Sequence, residues 1–471
     1  MKEGGIAMKM KGVFVGVALS ALTLQAASVD RILVRQQWPW NEKVNIDFVL
    51  TGVTEKMEID CAVYRGATRL DVPIAAFSGE VCNLSKDGVY RIMFDPSYLA
   101  ERPAGGKEEL RFVLTPVTTT AESVYGEVFY KIIDLEDYSV TDVTRGDLVS
   151  GMYGSVETDY GRIGPGYSTS LGDVLIWTGV TNNPVYKTSK LVMRRIPAGT
   201  FSYPTDMTWG KAAKTCEITN DFYIGVFEFT QGQYKKVKSL QGGYTSSSYC
   251  NPSFVGDENP LNTCSQNVLF GVNDGKAVHS ARPANASGFL KPLNDRIGGG
   301  CYLTLPSQAQ WLYACRAGSN GYYYDGLGDG APADATHDAR LDVLGRYAGN
   351  GGLTVVDEEN VTSNGVVKVG SFRPNAYGLY DMLGNVMEMM FNSSYSKNLS
   401  ARTGMLDDVS SNWHVIQGGG WSQNAVAWPF AVTTHSFHTS VNASRANSEY
   451  GFRLLMWIDE AEAAAPQEEN P

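Results

Sequence analysis

The sequence predicts an α+β protein in two parts, an N-terminal antiparallel β-sandwich over residues 28–136 and a loop-rich domain over residues 190–457. Three observations carry this expectation. From about Val29 to Pro116, apolar and polar side chains alternate with a period of two, broken by Gly, Pro, Asp and Asn, which is the pattern of half-buried strands. Fifty glycines and 25 tyrosines suit a chain of strands and turns more than a helical one. The stretch VGSFRPNAYGLYDMLGNVMEMMF (Val369 to Phe391), with QGGGW (Gln417 to Trp421) and Gly451-Phe452-Arg453, interleaves glycines and aromatics so densely that it describes loops on a packed base.

Residues 1–27 read as an export signal. Lys9 and Lys11 precede the apolar run Val13 to Leu24, and Gln25-Ala26-Ala27 supplies small residues suited to a signal peptidase, with Met8 an alternative start. The run is too short to span a bilayer as a helix, and no other stretch is long and apolar enough, so a secreted or periplasmic protein is expected. In the sandwich, strands are expected at Arg31 to Val34, Val44 to Leu50, Met57 to Val63, Tyr90 to Phe94 and Leu110 to Leu114, with YGEVFYKIIDLE (Tyr125 to Glu136) as the last. Cys61 and Cys82 either close the sandwich as a disulfide or remain buried thiols, because spacing does not fix the geometry a disulfide requires.

Residues 137–189 lose the period, and Gly151 to Asn183 is rich in Gly, Tyr, Ser and Thr, so the segment reads as a linker or strap. Alternation returns at Lys190 to Arg195 and runs into IPAGTF, the first strand of the second domain. Thr230 is placed to cap a helix opening at FTQGQY, and Ser307 one opening at PSQAQW; Ala309 to Trp311, Tyr313 and Ala314 then form an apolar side at helical spacing that reads as core. Residues 458–471 are acidic and Ala-rich and read as a disordered tail.

At 471 residues, 43% hydrophobic and 19% charged, the chain is long enough to bury a core in each of two domains. Its net charge of -11 and pI near 5.1 exclude nucleic acid or an anionic membrane as the principal partner, since a phosphate backbone selects a basic surface.

Arg373-Pro374-Asn375 reads as an extended turn entry, because the residue before a proline is pushed out of the helical region. Gly378-Leu379-Tyr380-Asp381 then leads to Gly384-Asn385, a pair suited to left-handed backbone. Asp381 and Glu388 flank this turn. With the carbonyls of Gly384 and Val386 they present the oxygen ligands that calcium takes; the alternative is a loop with two solvated carboxylates.

GLYDMLGNVMEM, LPSQAQWLYACRAGS (Leu305 to Ser319), IPAGTF (Ile196 to Phe201), DFYIGVFEFTQGQY (Asp221 to Tyr234) and GGGW with a terminal GFR together resemble the formylglycine-generating enzyme (sulfatase-modifying factor) family, in the family's order and over roughly residues 190–457. The resemblance implies a C-type-lectin-like α+β fold with little regular structure and a calcium site at Asp381, Gly384, Val386 and Glu388. It also implies an oxidase that binds copper through two thiolates, soft ligands for a soft ion, and converts a substrate cysteine into an aldehyde.

The chemistry is where the chain departs from that pattern. Counted from Trp421, the two cysteine positions that the resemblance implies are Gln423 and Trp428, and neither side chain supplies a thiolate, so copper is not expected. Family acids are replaced by Gln308, Gln310 and Leu312, and the arginine before Leu-Pro by Thr304, which weakens inherited salt bridges without threatening the fold. Cys216, Cys250, Cys264, Cys301 and Cys315 contain no CxxC and read as buried thiols or disulfides. His435 and His438 are spaced to share a metal but have no third ligand nearby, while the serines near His435 sit in no elbow-like glycine context and Gly298-Gly299-Gly300 lacks the following lysine and Ser/Thr of a phosphate loop.

What remains is Ser422 to Tyr450, dense in Asn, Ser, Thr, His and aromatic residues on the rigid GGGW base. Amides contribute directional hydrogen bonds and aromatics contact area, so Gln423, Asn424, Trp428, His435 and His438 are the candidate ligand-binding residues, for an extracellular glycan, peptide or protein. The expectation is an exported, non-catalytic binding or structural module. Two alternatives are an enzyme of the same family with altered chemistry and a diversified lectin-like binder.

Overall fold

The computed structural model describes residues 26–37, 42–99, 109–157, 174–203, 214–240, 254–273, 276–277, 283, 285–319, 321–326, 334, 336–350, 365–391, 413–425, 439–442 and 448–459. Residues 1–25 of the expected export signal, the tail from residue 460, Cys250, Trp428, His435 and His438 lie outside these. The chain divides into two compact units, Met1–Val128 with Val143–Thr158, and Phe129–Asp142 with Asp159–Pro471.

The first unit is built from β1 (Ser28–Gln36), β2 (Val44–Thr51), β3 (Met57–Arg65), β4 (Thr68–Arg69), β5 (Phe77–Gly79), β6 (Gly88–Phe94) and β7 (Leu110–Thr118). They form one sheet in the order β1-β2-β6-β5 and a second in the order β4-β3-β7, and neighbouring strands in both are antiparallel. The period of two in the sequence is the cause: Val44, Ile46, Phe48 and Leu50 of β2 turn inward to meet Ile59, Val63 and Leu114 in one core. Phe94 of one sheet meets Phe112 of the other edge-to-face at 5.2 Å. On the outer face Asp47 accepts from Arg91 Nε at 2.6 Å and pairs with Arg35. Cys61 and Cys82 are free thiols, donating to the Ile59 and Gly146 carbonyls, so the first of the two readings of this pair does not hold. Helix α1 (Arg145–Val149) opens with a capping box between Thr144 and Asp147.

The strand expected to close the sandwich belongs elsewhere. β8 (Val128–Asp134) pairs with β10 (Lys190–Ile196), Lys190 opposite Asp134 and Arg194 opposite Tyr130. Phe129, Tyr130, Ile132 and Ile133 are all buried, so this strand needs cover on both faces and alternation could not have assigned it. Nor is residues 137–189 simply a linker, because β9 (Val140–Thr144), α1 and α2 (Val185–Thr188) lie in it and Trp177 is fully buried.

The remaining strands are β11 (Gly199–Tyr203), β12 (Lys214–Ile218), β13 (Phe222–Gly225), β14 (Val272–Asn273), β15 (Lys276–Ala277), β16 (Cys301–Thr304), β17 (Met387–Met389), β18 (Trp413–Gln417), β19 (Thr439–Asn442), β20 (Tyr450–Gly451) and β21 (Leu455–Ile458). The second unit is organised by a six-stranded sheet, β16-β21-β13-β10-β8-β9, and a smaller one, β19-β18-β17-β20, whose β17 and β20 run parallel. Ile458, expected in the tail, closes β21 opposite Cys301.

Helix α3 (Gln231–Val237) opens on a Thr230–Gln233 capping box. α4 (Gln266–Phe270) and α5 (Leu290–Ile297) follow, and α6 (Gln308–Arg316) opens on a Ser307–Gln310 box, so Gln310 keeps a structural task as an amide. The Ala309, Trp311 and Ala314 side of α6 enters the core as its spacing predicts, and burying a ring the size of Trp311 stabilises by about 3 kcal/mol. The short α7 (Leu341–Leu344) completes a mixed α+β unit dominated by strands and turns.

Candidate functional site

The Val369–Phe391 stretch is a series of tight reversals. Positive φ occurs at Gly378, Asp381, Gly384 and Asn385, the last two at 83° and 60°, as the Gly-Asn pair predicts. Gly384 is required twice over, since a Cβ there would lie 2.2 Å from the Arg346 carbonyl oxygen. Asn375, fully buried after Pro374, donates through Nδ2 to the Ala314 and Cys315 carbonyls at the end of α6 and accepts from the Tyr377 and Leu379 amides. The turn is thereby fixed to the helix behind it.

Beneath these turns lies a buried charge cluster. Arg453, from the terminal Gly-Phe-Arg, is 0% exposed, and its Nε and Nη2 donate to Glu388 at 2.7–2.8 Å. The same guanidinium donates to the Gly225, Val226 and Tyr380 carbonyls, which ties β13 and the 378–381 turn to the start of β21. Trp311 Nε1 gives Glu388 a further bond of 2.7 Å. Glu228, preceding the cap of α3, accepts from Val386 N at 3.0 Å and Asn385 Nδ2 at 2.6 Å. Asp381 accepts from Gly370 N through Oδ2 at 2.6 Å.

Three carboxylates thus lie in the field of one interior guanidinium, which bonds to Glu388 alone among them. Every oxygen of the three has a donor except Asp381 Oδ1, which is buried with no hydrogen-bond partner. Burial, reinforced by Asp381 and Glu388, raises the Glu228 pKa well above the ordinary carboxylate value. Burial lifts Asp381 to about 6. Burial alone would lower the Arg453 pKa, but Glu388 holds it above its ordinary value. Surplus negative charge with one unengaged oxygen is an environment that accepts either protons or a hard cation. Among the described residues no three His, Cys, Asp or Glu side chains are arranged to hold a metal, so a cation here would need the Gly384 and Val386 carbonyls beside Asp381.

A family model described as "Sulfatase-modifying factor enzyme 1-like domain" matches residues 180–458, more than half of the chain. The chain belongs to this family. The formylglycine-generating enzyme of Bos taurus is 26% identical over 221 residues, covering 41% of this chain and 55% of that one. The Mus musculus enzyme is 25% identical over 224 residues, covering 41% and 56%. The chain therefore spans about half the length of the curated relatives it matches. Among solved structures, PvdO from Pseudomonas aeruginosa is similar at 18% identity over 56% of this chain and 94% of that one, with a TM-score of 0.40. Treponema denticola variable protein 1 is similar at 19%, over 56% and 95%, with a TM-score of 0.39.

Of the residues expected to bind ligand, the structure places Gln423 and Asn424 on the turn that follows Gly418-Gly419-Gly420. Gln423 N donates to Gly420 O, its carbonyl receives Ala348 N, and its Nε2 lies 3.6 Å from Met387 Sδ. Asn424 is exposed. Trp421 is anchored through Nε1 to the Ser448 carbonyl and packs edge-on to Phe254 at 5.2 Å. Sequence reasoning gave no role to Glu228, Met387, Glu449 or Arg453. For Glu228 a signal existed, a single carboxylate inside the apolar run FYIGVFEF, since a charge that cannot reach water needs a buried partner.

Proposed function

We propose that this chain is an exported, non-catalytic binding or structural member of its family, recognising an extracellular glycan, peptide or protein through the turn at Gly418–Asn424 and the segment after it. The observation that carries this reading is Gln423. It occupies the position where the resemblance implies a copper thiolate, and its amide is turned onto the Met387 thioether. An amide does not replace a thiolate for a soft ion, and a tryptophan at 428 cannot supply the second.

The deciding experiment incubates the purified full chain with copper and a cysteine-containing sulfatase-type peptide and follows aldehyde formation and oxygen uptake. No turnover is expected; copper-dependent aldehyde at the rate of an active relative would refute the reading. In a ligand screen, Asn424→Ala and Trp428→Ala are each expected to weaken binding by about 1–3 kcal/mol without unfolding the protein. Within the same reading a structural calcium ion sits at Asp381 and Glu388 with the Gly384 and Val386 carbonyls, supported by the unengaged Asp381 Oδ1 and the surplus of buried carboxylates.

A further inference from the structure

Glu449 takes no part in the charge cluster. Its side chain is half-buried, and among the described residues no hydrogen bond or ion pair reaches its carboxylate. Burial alone raises its pKa, as it does for a carboxylate that has lost water without gaining a partner.

Its surroundings are specific. A Cβ on Gly420 would stand 3.4 Å from Met387 Cγ and 3.6 Å from Glu449 Cβ, so both side chains stand beside a residue of the turn that has no side chain. Backbone bonds fix the placement: Met387 N donates to Glu449 O at 2.7 Å, and Tyr450 lies opposite Met387 in the β17–β20 pairing. Gln423 Nε2 lies 3.6 Å from the sulfur of the same methionine, and its Oε1 is buried with no hydrogen-bond partner. Two side chains beside the Gly420–Trp421 turn, Glu449 and Gln423, therefore each carry an unengaged acceptor, one anionic and one neutral, with Met387 next to the same turn.

We propose that Glu449 and Gln423 Oε1 together receive the N–H-bearing cationic head of a ligand, an alkylammonium or alkylguanidinium group, with Met387 in contact with its carbon stem. This deepens the binding reading and rests on it. A carboxylate already stripped of part of its water gains most from a charged donor, because charge-assisted hydrogen bonds are shorter and stronger than neutral ones. The amide oxygen takes a second N–H from the same head group. A flexible thioether packs against methylenes of varied length. Anionic ligands are disfavoured here, since nothing among the described residues neutralises Glu449.

The test titrates the full chain, followed by NMR or calorimetry at constant ionic strength, with n-butylammonium, n-butylguanidinium and tetramethylammonium, which has the charge but no N–H. Blocked peptides containing one lysine or one arginine then show whether the head group is read as a small amine or as a side chain. One of the N–H cations is expected to bind at least tenfold more tightly than tetramethylammonium. Glu449→Gln is expected to remove that binding by tenfold or more, and Gln423→Leu to weaken it several-fold, both with unchanged melting temperature. Should Glu449→Gln fail to fold, Glu449→Asp and Gln423→Leu carry the test through the preference for N–H cations.

Absence of binding by either N–H cation, equal binding of tetramethylammonium, or undiminished binding by folded Glu449→Gln would overturn the inference. A screened ligand that responds to Asn424→Ala and Trp428→Ala but not to Glu449→Gln overturns this inference alone. Glu449-dependent cation binding, with no ligand responding to either of those substitutions, sinks the wider binding surface instead.

Discussion

Replacing Arg453 by methionine tests whether the buried charge cluster holds the second unit together. The substitution keeps most of the side-chain volume and removes the charge that Glu388 faces at 2.7–2.8 Å, as well as the donors to Gly225, Val226 and Tyr380. Both partners are essentially inaccessible, at 0% and 1% side-chain exposure, so water cannot take the place of the lost partner. Stranding one member of a buried pair costs about 3–5 kcal/mol. Against a total stability of about 5–15 kcal/mol, Arg453→Met alone should bring the unit close to unfolding.

Chemical denaturation followed by near-ultraviolet circular dichroism is a suitable assay, because Trp311 donates directly to Glu388 and reports on the cluster. Glu388→Gln should cost less than Arg453→Met, since Arg453 keeps its carbonyl acceptors and the neighbouring Glu228 and Asp381. The double variant Glu388→Met with Arg453→Met should be less destabilised than the sum of its single changes by about 0.5–3 kcal/mol. Additive effects, or an Arg453→Met variant within about 0.5 kcal/mol of the natural protein, would refute the assignment.

Three further outcomes are expected. Stripping the proposed calcium ion with a chelator should lower the melting temperature of the natural protein through loss of a native-state ligand, and an unchanged curve in metal-free protein counts against the ion. Gly345→Ala should destabilise by more than about 4 kcal/mol, because its Cβ would stand 1.6 Å from the Leu383 carbonyl oxygen; Gly66→Ala, at φ 59° with nothing within 4 Å, should cost only about 1–2 kcal/mol, both read from denaturant midpoints. In the first unit the Arg91 hydrogen bond, opposed by burial and aided by Arg35, holds Asp47 below its ordinary 3.8, so its contribution is present above that value and is lost as pH falls through the lower folded pKa. Asp47→Asn should therefore be less stable than the natural protein at neutral pH, by about 0.2–1 kcal/mol per exposed pair, with the difference vanishing in acid.

Strands β2, β6 and β7 were legible because each buries a single face. The expected Val44 to Leu50 strand is nearly all of β2, while β7 runs past the expected Leu114 to Thr118 because its outer residues remain at the surface. The caps at Thr230 and Ser307 were legible because a capping box is local chemistry. β8 was placed in the wrong sheet, since a strand buried on both faces carries no alternation to say which sheet covers it. At the site, the left-handed Gly384-Asn385 turn could be read from residue type. The partnership of Glu388 with Arg453 could not, because it joins positions 65 residues apart through burial that no local pattern encodes. Gln423 was legible as a missing thiolate, but its contact with Met387 and the isolation of Glu449 are properties of the packed turn.

The crossing of β8 into the second unit, before the chain returns to α1 in the first, means that neither unit is a contiguous piece of the gene. A fragment beginning at residue 190 would carry β10 with one edge bare, and Arg194 would lose both the Phe129 carbonyl it donates to and the ring it stacks on at 4.3 Å. Such a fragment offers its open edge to other copies and invites aggregation. During synthesis β8 leaves the ribosome well before its partner β10 exists, so its apolar residues must wait, and dissecting this protein at its apparent domain boundary would make that transient exposure permanent.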